Sequence, residues 1–402
     1  MIAKLSWKNI WRSRRRSLTV IGAIAIGVWA LIFMIGFYNS FGDAFIRSAV
    51  NYEYAHIQIH HADYLEDPDL KYVLEDYAGL EDHLGQIEEI LSYSDRMKVN
   101  AMLASPKTNT GIQVFGIDPA KEANTTQLSE QMVEGTYFQK FKRNPILISE
   151  KLAEKLKVKI RSKVVLTFQD KTNEITAAAF RVEGIFNSKS PAINEGVVYV
   201  RKDDLAKLTL IDQPHEIGIL LHSAQAIDST QIQIAQFTSN SVRSYKEVAP
   251  QFNLMEESSE MITRIMTVIM MLALLFGIIN TMLMAVLERT REIGMLRSIG
   301  MHKSKVFSMI LLETLFLGML GGPVGCLLGL ATITWLNTKG LDMSAYADAL
   351  AQYGAEAIFY PAMQGSEYIS LMLVVIFTAF VGAIYPALKA IHLNPLEAIR
   401  KL

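Results

Sequence analysis

Four long apolar runs divide the chain, at residues 18–38, 265–286, 306–335 and 368–385. A helix needs about 20 mostly apolar residues to cross the hydrocarbon of a bilayer, and each run is long enough to do so. The third run exceeds that length and can tilt or extend beyond the lipid. The segment 41–260 is too polar to span. We therefore predict a membrane protein with four transmembrane α-helices and a large α+β extracytoplasmic domain between helices 1 and 2.

Lysine and arginine near the ends of the spans predict the orientation, because cytoplasmic loops are enriched in them. Basic residues cluster before the first run, between the second and third, and after the fourth: Lys4, Lys8, Arg12, Arg14, Arg15 and Arg16; Arg289, Arg291, Arg297, Lys303 and Lys305; Lys389, Arg400 and Lys401. Four spans place these clusters on one side, so both termini are predicted to be cytoplasmic. A cleaved signal peptide is an alternative for the N-terminus, but its apolar core would be about 7–15 residues, shorter than the first run.

These features divide the chain into nine predicted segments. They are a cytoplasmic N-terminal helix (1–17), transmembrane helix 1 (18–40), the extracytoplasmic domain (41–260), transmembrane helix 2 (261–287), a cytoplasmic helix (288–304), transmembrane helix 3 (305–336), an outer loop (337–366), transmembrane helix 4 (367–387) and a cytoplasmic tail (388–402). In the first segment, Trp7, Ile10 and Trp11 recur at helical spacing among basic residues. This pattern is typical of a helix lying in the membrane interface, and an ordinary basic anchor for the first span explains it equally well.

The segment 41–260 has patterns of both strands and helices. The stretch AHIQIHHADY alternates like a strand. Residues 146–148 and 163–168 read as strands, and the helix 150–156 lies between them with Ser149 as its N-cap. About 220 residues are enough for a sizeable core, which we expect to form two subdomains.

Several classes of function are excluded by the residues themselves. Cys326 is the only cysteine, so an intramolecular disulfide and a cysteine-rich zinc site are both impossible. His56 and His60 lie four residues apart on a predicted strand, about 13 Å from one another, too far to share a metal ion. The net charge of −1 provides no positive field for nucleic acid. No nucleotide-binding or hydrolase motif stands out, and the chain is not expected to be an enzyme or to bind a cofactor.

The short segment LERTREIGMLRSIGMHKSK, residues 287–305, lies between two spans. Ile293, Met295, Leu296 and Ile299 predict one apolar face on a helix of about two turns. Gly300 is well placed to end that helix, since glycine accepts the left-handed conformation. On these residues alone, a membrane-surface loop and a docking surface for another protein are equally good readings.

Local side chains complete this prediction. Ser304 is expected to cap the next helix. Glu288 and Glu292 are expected to pair with Arg291 and Arg289, respectively, within one helical turn.

Stretches along nearly the whole chain resemble the FtsX/MacB-type ABC transporter permeases. The most specific are RTREIGMLRSIGMHKSKVFSMILLE and the C-terminal YPALKAIHLNPLEAIRKL; LSWKNIWRSRRRSLTVIGAIAIGV, ILISEKLAEKLKVKIRSKVVL and FRVEGIF agree with them in order. The chain departs from the family at Arg161 and Ser162, where members often have a Gly-Asp pair.

The resemblance implies that residues 288–304 form a coupling helix that inserts into a separate ATPase subunit. The contact residues it implies are Arg291, Glu292, Ile293, Gly294, Met295, Leu296, Arg297 and Gly300. It also implies an ATPase dimer that binds ATP and Mg²⁺, a second permease copy (identical or a paralogue), and a long second span that carries motion to the outer domain. The implied location is a bacterial inner membrane, with the large domain in the periplasm and in possible contact with a chaperone or adaptor.

Glycines in the third span predict close helix packing. They form two stripes with Pro323 between them: Gly318 and Gly322; Gly321, Gly325 and Gly329. The stripes can serve packing within the chain or also a permease–permease interface. We expect Pro323 to bend the helix.

Three functional classes exist within the family that the chain resembles: release of lipoproteins, efflux of periplasmic substrates with an adaptor, and signalling to cell-wall hydrolases. The large outer domain disfavours the third class, and the absence of a fused ATPase disfavours the second. The stretch HIQIHHADYLEDPDL resembles lipoprotein-releasing permeases, so release of lipoproteins or of other lipid-anchored cargo is favoured. A non-ABC membrane sensor would share the topology, but it would not explain the glycine-bracketed helix.

Overall fold

A computed structural model describes residues 2–140, 143–346, 349–350 and 357–392. The chain forms two compact units. The helical unit comprises Met1–Gly42, Glu257–Asp342 and Ile358–Leu402, and the α/β unit comprises Asp43–Glu256 and Met343–Ala357. Positions 393–402 of the predicted cytoplasmic tail lie outside the described residues, as do positions 347, 348 and 351–356 of the predicted outer loop.

Long helices near both ends of the described chain enclose a segment in which short helices alternate with strands. They are α1 (Ile2–Arg12), α2 (Arg14–Ala49), α3 (Tyr77–Leu84), α4 (Pro119–Thr126), α5 (Glu150–Leu156), α6 (Pro191–Gly196), α7 (Lys202–Thr209), α8 (Ile227–Ala235), α9 (Tyr245–Val248), α10 (Gln251–Glu288), α11 (Thr290–Ser298), α12 (Lys303–Lys339) and α13 (Gly365–Ile391). A π-helical turn, Val50–Tyr54, extends α2. Short 3₁₀ turns lie at Leu128–Gln131, Ala224–Ala226 and Ser344–Tyr346.

Most of the strands belong to the α/β unit. They are β1 (Ile57–His60), β2 (Ile90–Ala104), β3 (Asn109–Ile117), β4 (Met132–Gly135), β5 (Pro145–Ser149), β6 (Lys163–Gln169), β7 (Ile175–Phe186), β8 (Val197–Arg201), β9 (Glu216–Leu221) and β10 (Ser241–Ser244). A two-stranded ladder of β11 (Leu341–Asp342) and β12 (Ile358–Phe359) lies in the helical unit.

The four predicted spans are confirmed, and the helices are longer than the apolar runs. The helices that are long and apolar enough to cross a membrane are Arg14–Tyr54, Gln251–Glu288, Lys303–Lys339 and Gly365–Ile391. Hydropathy marks only the residues suited to lipid, whereas helix propensity also extends each helix through its polar flanks. Helix α12 continues without interruption through Pro323.

The two glycine stripes of α12 pack against two different helices. A Cβ atom added at Gly321, Gly325 or Gly329 would lie within 2.6–2.8 Å of atoms of α2, whereas one added at Gly318 would lie 2.8 Å from Ala379 of α13. An added Cβ at Gly322 would lie 3.0 Å from Met372 of α13. These glycines therefore allow α12 to approach α2 on one side and α13 on the other.

The α/β unit contains a mixed, mainly antiparallel sheet. Its strand order is β10-β1-β9-β2-β3-β8-β5-β7-β4, and β6 pairs with both β2 and β7. Strands β2, β3, β8, β5, β7 and β6 thus form a closed ring, and their apolar side chains share one buried cluster. A second cluster joins β1 and β9 to α3 and α8. The sheet is continuous between these clusters, and the unit is compact. The expected division into two subdomains therefore stays a prediction.

The local predictions for this unit hold. Strand β1 forms where the alternating stretch is, between β10 and β9, and all four of its residues are buried. Ser149 caps α5 by accepting a hydrogen bond from the amide of Leu152, between strands β5 and β6. The fold class predicted from the sequence, four transmembrane helices with an α+β domain between the first two, is therefore confirmed.

Candidate functional site

The short helix α11 lies between two spans and ends in a defined turn. The amide of Met301 donates to the carbonyl of Leu296, and the amide of Gly300 donates to that of Arg297, both at 3.0–3.1 Å. Gly300 has φ +101°, which is the left-handed conformation expected of a glycine after a helix in this type of cap. The predicted end of the helix at Gly300 is confirmed.

The predicted cap of the next helix is wrong. Helix α12 begins at Lys303, and His302 precedes it with extended backbone angles. The Nδ1 atom of His302 accepts a hydrogen bond from the amide of Ser304 at 3.3 Å. Because α12 starts one turn earlier than the apolar run indicates, Ser304 is already inside the helix and cannot act as its N-cap.

The apolar residues of α11 do not form the single face that we expected. Ile293 is buried in the core of the helical unit, as is Gly294, whereas Met295 is 49% exposed and Ile299 is 84% exposed. Residues two apart on a helix lie about 200° apart around its axis, so Ile293 and Met295 must point in opposite directions. Leu296 is half-buried at the boundary. The outward apolar surface of α11 therefore consists of Met295 and Ile299.

The charged residues at the start of α11 pair partly as predicted. The Arg289 Nε atom donates to the Glu292 carboxylate at 3.0 Å, as expected from their spacing. Glu292 also accepts from the Arg12 guanidinium of α1 at 2.6 Å. The prediction for Glu288 is wrong, since it pairs with Arg16 at 3.3 Å rather than with Arg291, which is exposed.

A buried carboxylate of α12 joins the same group of residues. Glu313 accepts hydrogen bonds from the Asn9 side-chain amide at 2.6 Å and from the Arg289 guanidinium at 3.4 Å. We call the five residues Asn9, Arg12, Arg289, Glu292 and Glu313 the polar clasp. They join α1, the α10–α11 junction, α11 and α12.

The other end of α11 is held by α13. The Arg297 guanidinium donates to the carbonyl oxygen of Ile391 at 3.1 Å. Ile391 is the last residue of α13, where backbone carbonyls lack helical partners and carry partial negative charge. Arg297 therefore satisfies a carbonyl at the end of the fourth span.

The predicted contact residues thus divide into two groups. Arg291, Met295 and Gly300 are exposed, whereas Ile293, Gly294, Glu292 and Arg297 face or contact other parts of this chain. Leu296 is half-buried and lies between the two groups. The sequence prediction missed Asn9 and Glu313, and it gave Arg289 only its pair with Glu292, not its contact with Glu313. The one signal that could have found Glu313 is an ionisable residue within an apolar run, which is costly in lipid and is often functional.

The histidines singled out in the sequence occupy separate positions in the α/β unit. His60 hydrogen-bonds to the Gln58 amide oxygen at 2.8 Å, and His56 Nδ1 accepts from the amide of Leu221 at 3.0 Å. No group of three or more His, Cys, Asp or Glu side chains among the described residues could hold a metal ion.

Two family models match the chain, and together they cover most of it. One, described as the MacB-like periplasmic core domain, matches residues 17–237. The other, described as the FtsX-like permease C-terminal domain, matches residues 264–395. The second match includes α11, α12 and α13.

Individual relatives are distant but extend over much of the chain. The lipoprotein-releasing system transmembrane protein LolC of Neisseria meningitidis is 23% identical over 96% of this chain and 94% of its own length. The ABC transporter permease YvrN of Bacillus subtilis is 24% identical over 72% of this chain and 70% of its own. The crystal structure of the extracellular domain of the ABC-type transporter YknZ covers 47% of this chain, at 14% identity and a TM-score of 0.35.

Proposed function

The chain belongs to the FtsX-like permease family of ABC transporters and has a MacB-like periplasmic core domain, and from this premise we propose that it couples ATP hydrolysis by a separate ATPase to movement of that domain. The observation that carries the proposal is the geometry of α11. It is a short helix between two spans, with Met295 and Ile299 facing outward. An apolar pair of this size is too small to anchor a helix in lipid, but it can fill a groove on another protein.

The contacts of α11 support transmission of force. Arg297 holds one end to α13, and Glu292 and Arg289 hold the other end to α1 and α12. A displacement of α11 by a docked protein is therefore passed to several elements of the helical unit rather than lost in a loose loop. On this proposal the ATPase binds ATP and Mg²⁺, two permease copies face one ATPase dimer, and this chain is the non-catalytic subunit.

The cargo that we propose is a lipoprotein or another lipid-anchored molecule of the bacterial inner membrane. The similarity to a lipoprotein-releasing permease over nearly the full length of both chains supports it.

Efflux of a periplasmic substrate with an adaptor is the second candidate. It is favoured by the similarity to the macrolide export ATP-binding/permease protein MacB of Chlorobium luteolum, which is 28% identical over 204 residues. That similarity covers 47% of this chain and 28% of the relative.

The docking role of α11 predicts that a charge on its outward face prevents binding of the ATPase. We expect Met295→Asp to reduce the ATPase that co-purifies from gently solubilised membranes by at least tenfold. Met295 is a better position than Leu296 because Leu296 is half-buried, so a charge there would also disturb packing. The measurement is quantitative mass spectrometry of the co-purified proteins.

Ile232→Asp is the matched control, because Ile232 is 60% exposed on α8 of the α/β unit. Undiminished ATPase binding by Met295→Asp would remove the docking role from α11. Acylated lipoproteins in the wild-type preparation would support the proposed cargo, and an adaptor protein in their place would favour efflux.

A further inference from the structure

Glu313 is a carboxylate in a segment otherwise suited to lipid, and its partners all lie on other elements. Its side chain is 7% exposed. Burying a charge is unfavourable unless hydrogen bonds and an opposite charge compensate it. Asn9 of α1 donates to Glu313, and Arg289 of the α10–α11 junction supplies the positive charge. The carboxylate is therefore satisfied only when three separate parts of the chain are in place.

The polar clasp forms a closed ring through Glu313. Asn9 and Arg12 are three residues apart in α1, and Arg289 and Glu292 are three residues apart at the start of α11. Glu313 joins Asn9 to Arg289, and Glu292 joins Arg289 to Arg12. Two routes therefore connect α1 to the start of α11: the Arg12–Glu292 ion pair, and the contacts of Glu313 with Asn9 and Arg289. The start of α11 cannot move away from α1 without breaking a contact on each route.

The outer half of the ring, the Arg12–Glu292 ion pair, is more exposed than the inner half, the contacts of Glu313. Arg12 is 67% exposed, and its ion pair with Glu292 is screened by solvent and is weak. The contacts of Glu313 are sheltered, so breaking them would leave a charge unpaired among apolar side chains. The inner half therefore holds the ring together.

Helix α1 also contacts α12 outside the ring. The Ser6 hydroxyl donates to the carbonyl of Met309 at 3.0 Å, and the Trp7 ring packs edge-on against Phe316 with centroids 5.6 Å apart. Helix α1 thus lies along the first turns of α12, with Glu313 in the middle of the contact.

We propose that Glu313 is a positioning residue for the coupling helix, and that α1, α11 and the adjoining end of α12 move as one coupling unit. The inference rests on the proposed function, in which an ATPase docks on Met295 and Ile299. The inference adds a second requirement for activity, beyond docking of the ATPase. The ATPase binds through the outward face of α11, but the bound enzyme works only if the clasp holds α11 in its orientation.

The test is ATP hydrolysis by the complex that co-purifies with the full chain, per bound ATPase. We expect Glu313→Gln to retain wild-type binding of the ATPase and to reduce hydrolysis at least fivefold, because glutamine cannot provide the negative charge that orients Arg289. Asn9→Ala, which removes the hydrogen bond from α1 to Glu313, should cause a smaller loss of hydrolysis. The matched control is Glu260→Gln, which breaks the exposed Arg264–Glu260 ion pair at 2.9 Å and should have no effect.

A crosslink between α1 and α12 tests directly whether the coupling unit moves as one body. In a Cys326→Ser background, Ser6→Cys and Met309→Cys can be joined by a short thiol crosslinker. We expect the crosslinked complex to hydrolyse ATP at the rate of the uncrosslinked one, since α1 and α12 do not separate during the cycle.

The outcomes separate the two proposals. A wild-type chain that retains no ATPase would overturn the proposed function and this inference with it. A wild-type complex that is active would leave the proposed function standing. In that case, wild-type hydrolysis by both Glu313→Gln and Asn9→Ala, or inhibition by the crosslink, would overturn the coupling unit alone.

Discussion

Arg161 occupies a backbone conformation that favours glycine. Its φ is +70°, at the position where the resemblance to the family implies Gly followed by Asp. Ser162 follows, and its hydroxyl oxygen accepts a hydrogen bond from the amide of Lys159 at 3.0 Å. The hydroxyl thus provides the acceptor that a short acidic side chain would provide in such a turn. The turn before β6 forms in this chain although its residues differ from the family pattern.

A buried ionic network lies in the α/β unit. Arg96 is 1% exposed and pairs with Glu122 at 2.9 Å and with Glu216 at 2.8 Å, and Lys98 also contacts Glu216. Burial alone would raise the pKa of Glu216, but the charges of Lys98 and Arg96 outweigh it and lower the pKa to about 2. Burial lowers the pKa of His60 to about 4, even though the Glu216 carboxylate opposes this shift.

These pKa values predict that acid destabilises the α/β unit in two overlapping ranges. The stability that depends on neutral His60 is complete above its ordinary pKa of 6.5 and is lost as the pH falls to about 4. The stability that depends on ionised Glu216 is complete above 4.5 and is lost as the pH falls to about 2. Urea unfolding of the solubilised chain between pH 7 and pH 2 measures both losses of stability.

The variant Glu216→Gln tests the network at neutral pH. We expect it to lower the free energy of unfolding by about 3–5 kcal/mol, because Arg96 and Lys98 lose their shared carboxylate in a buried site. It should also reduce the loss of stability below pH 4.5. Glu195→Gln, which breaks the exposed Lys151–Glu195 pair at 2.6 Å, should behave as wild type. Equal stability of the two variants would contradict the role of the network.

At the scale of elements, α12 is the helix around which the helical unit packs. Its glycine stripes bring α2 and α13 close on two sides, and its first turns contact α1. Close approach of backbones, rather than burial of large side chains, is how helices associate in lipid. Each glycine stripe thus packs against a different helix, one against α2 and the other against α13.

The α2-facing stripe predicts sensitivity to a single methyl group. A Cβ at Gly325 would lie 2.6 Å from the backbone oxygen of Ala25, which cannot move aside as the end of a side chain can. We expect Gly325→Ala to destabilise the solubilised chain by about 1–3 kcal/mol, measured as a lower thermal midpoint by circular dichroism. Gly277→Ala in α10 is the control, because no atom lies within 4 Å of its added Cβ. A similar midpoint for both would argue against the close contact.

At the scale of the whole molecule, the chain contains a helical unit of four spans and an α/β unit, most of which lies in the segment between the first and second spans. This order, together with the three basic clusters, predicts that α11 and the α/β unit lie on opposite sides of the membrane. The polar clasp and the outward face of α11 would then both be cytoplasmic, where an ATPase can reach them.

Thiol labelling of intact cells tests this orientation. In a Cys326→Ser background, we expect Ile175→Cys to react with a membrane-impermeant reagent, since Ile175 is 76% exposed in the α/β unit. Ile299→Cys, at a residue 84% exposed, should react only after the inner membrane is permeabilised. Labelling of Ile299→Cys in intact cells would reverse the predicted topology.

The sequence by itself determined the four spans, the place of the α/β domain, the cap of α5 by Ser149 and the end of α11 at Gly300. Each of these depends on hydropathy or backbone preference over a few consecutive residues. The tertiary structure decided which way Ile293 and Met295 point, which helix each glycine stripe meets, and which residues satisfy Glu313. Asn9 and Glu313 are 304 positions apart, and no local pattern relates residues at that separation. Their contact exists only because α1 packs against α12 in the folded chain.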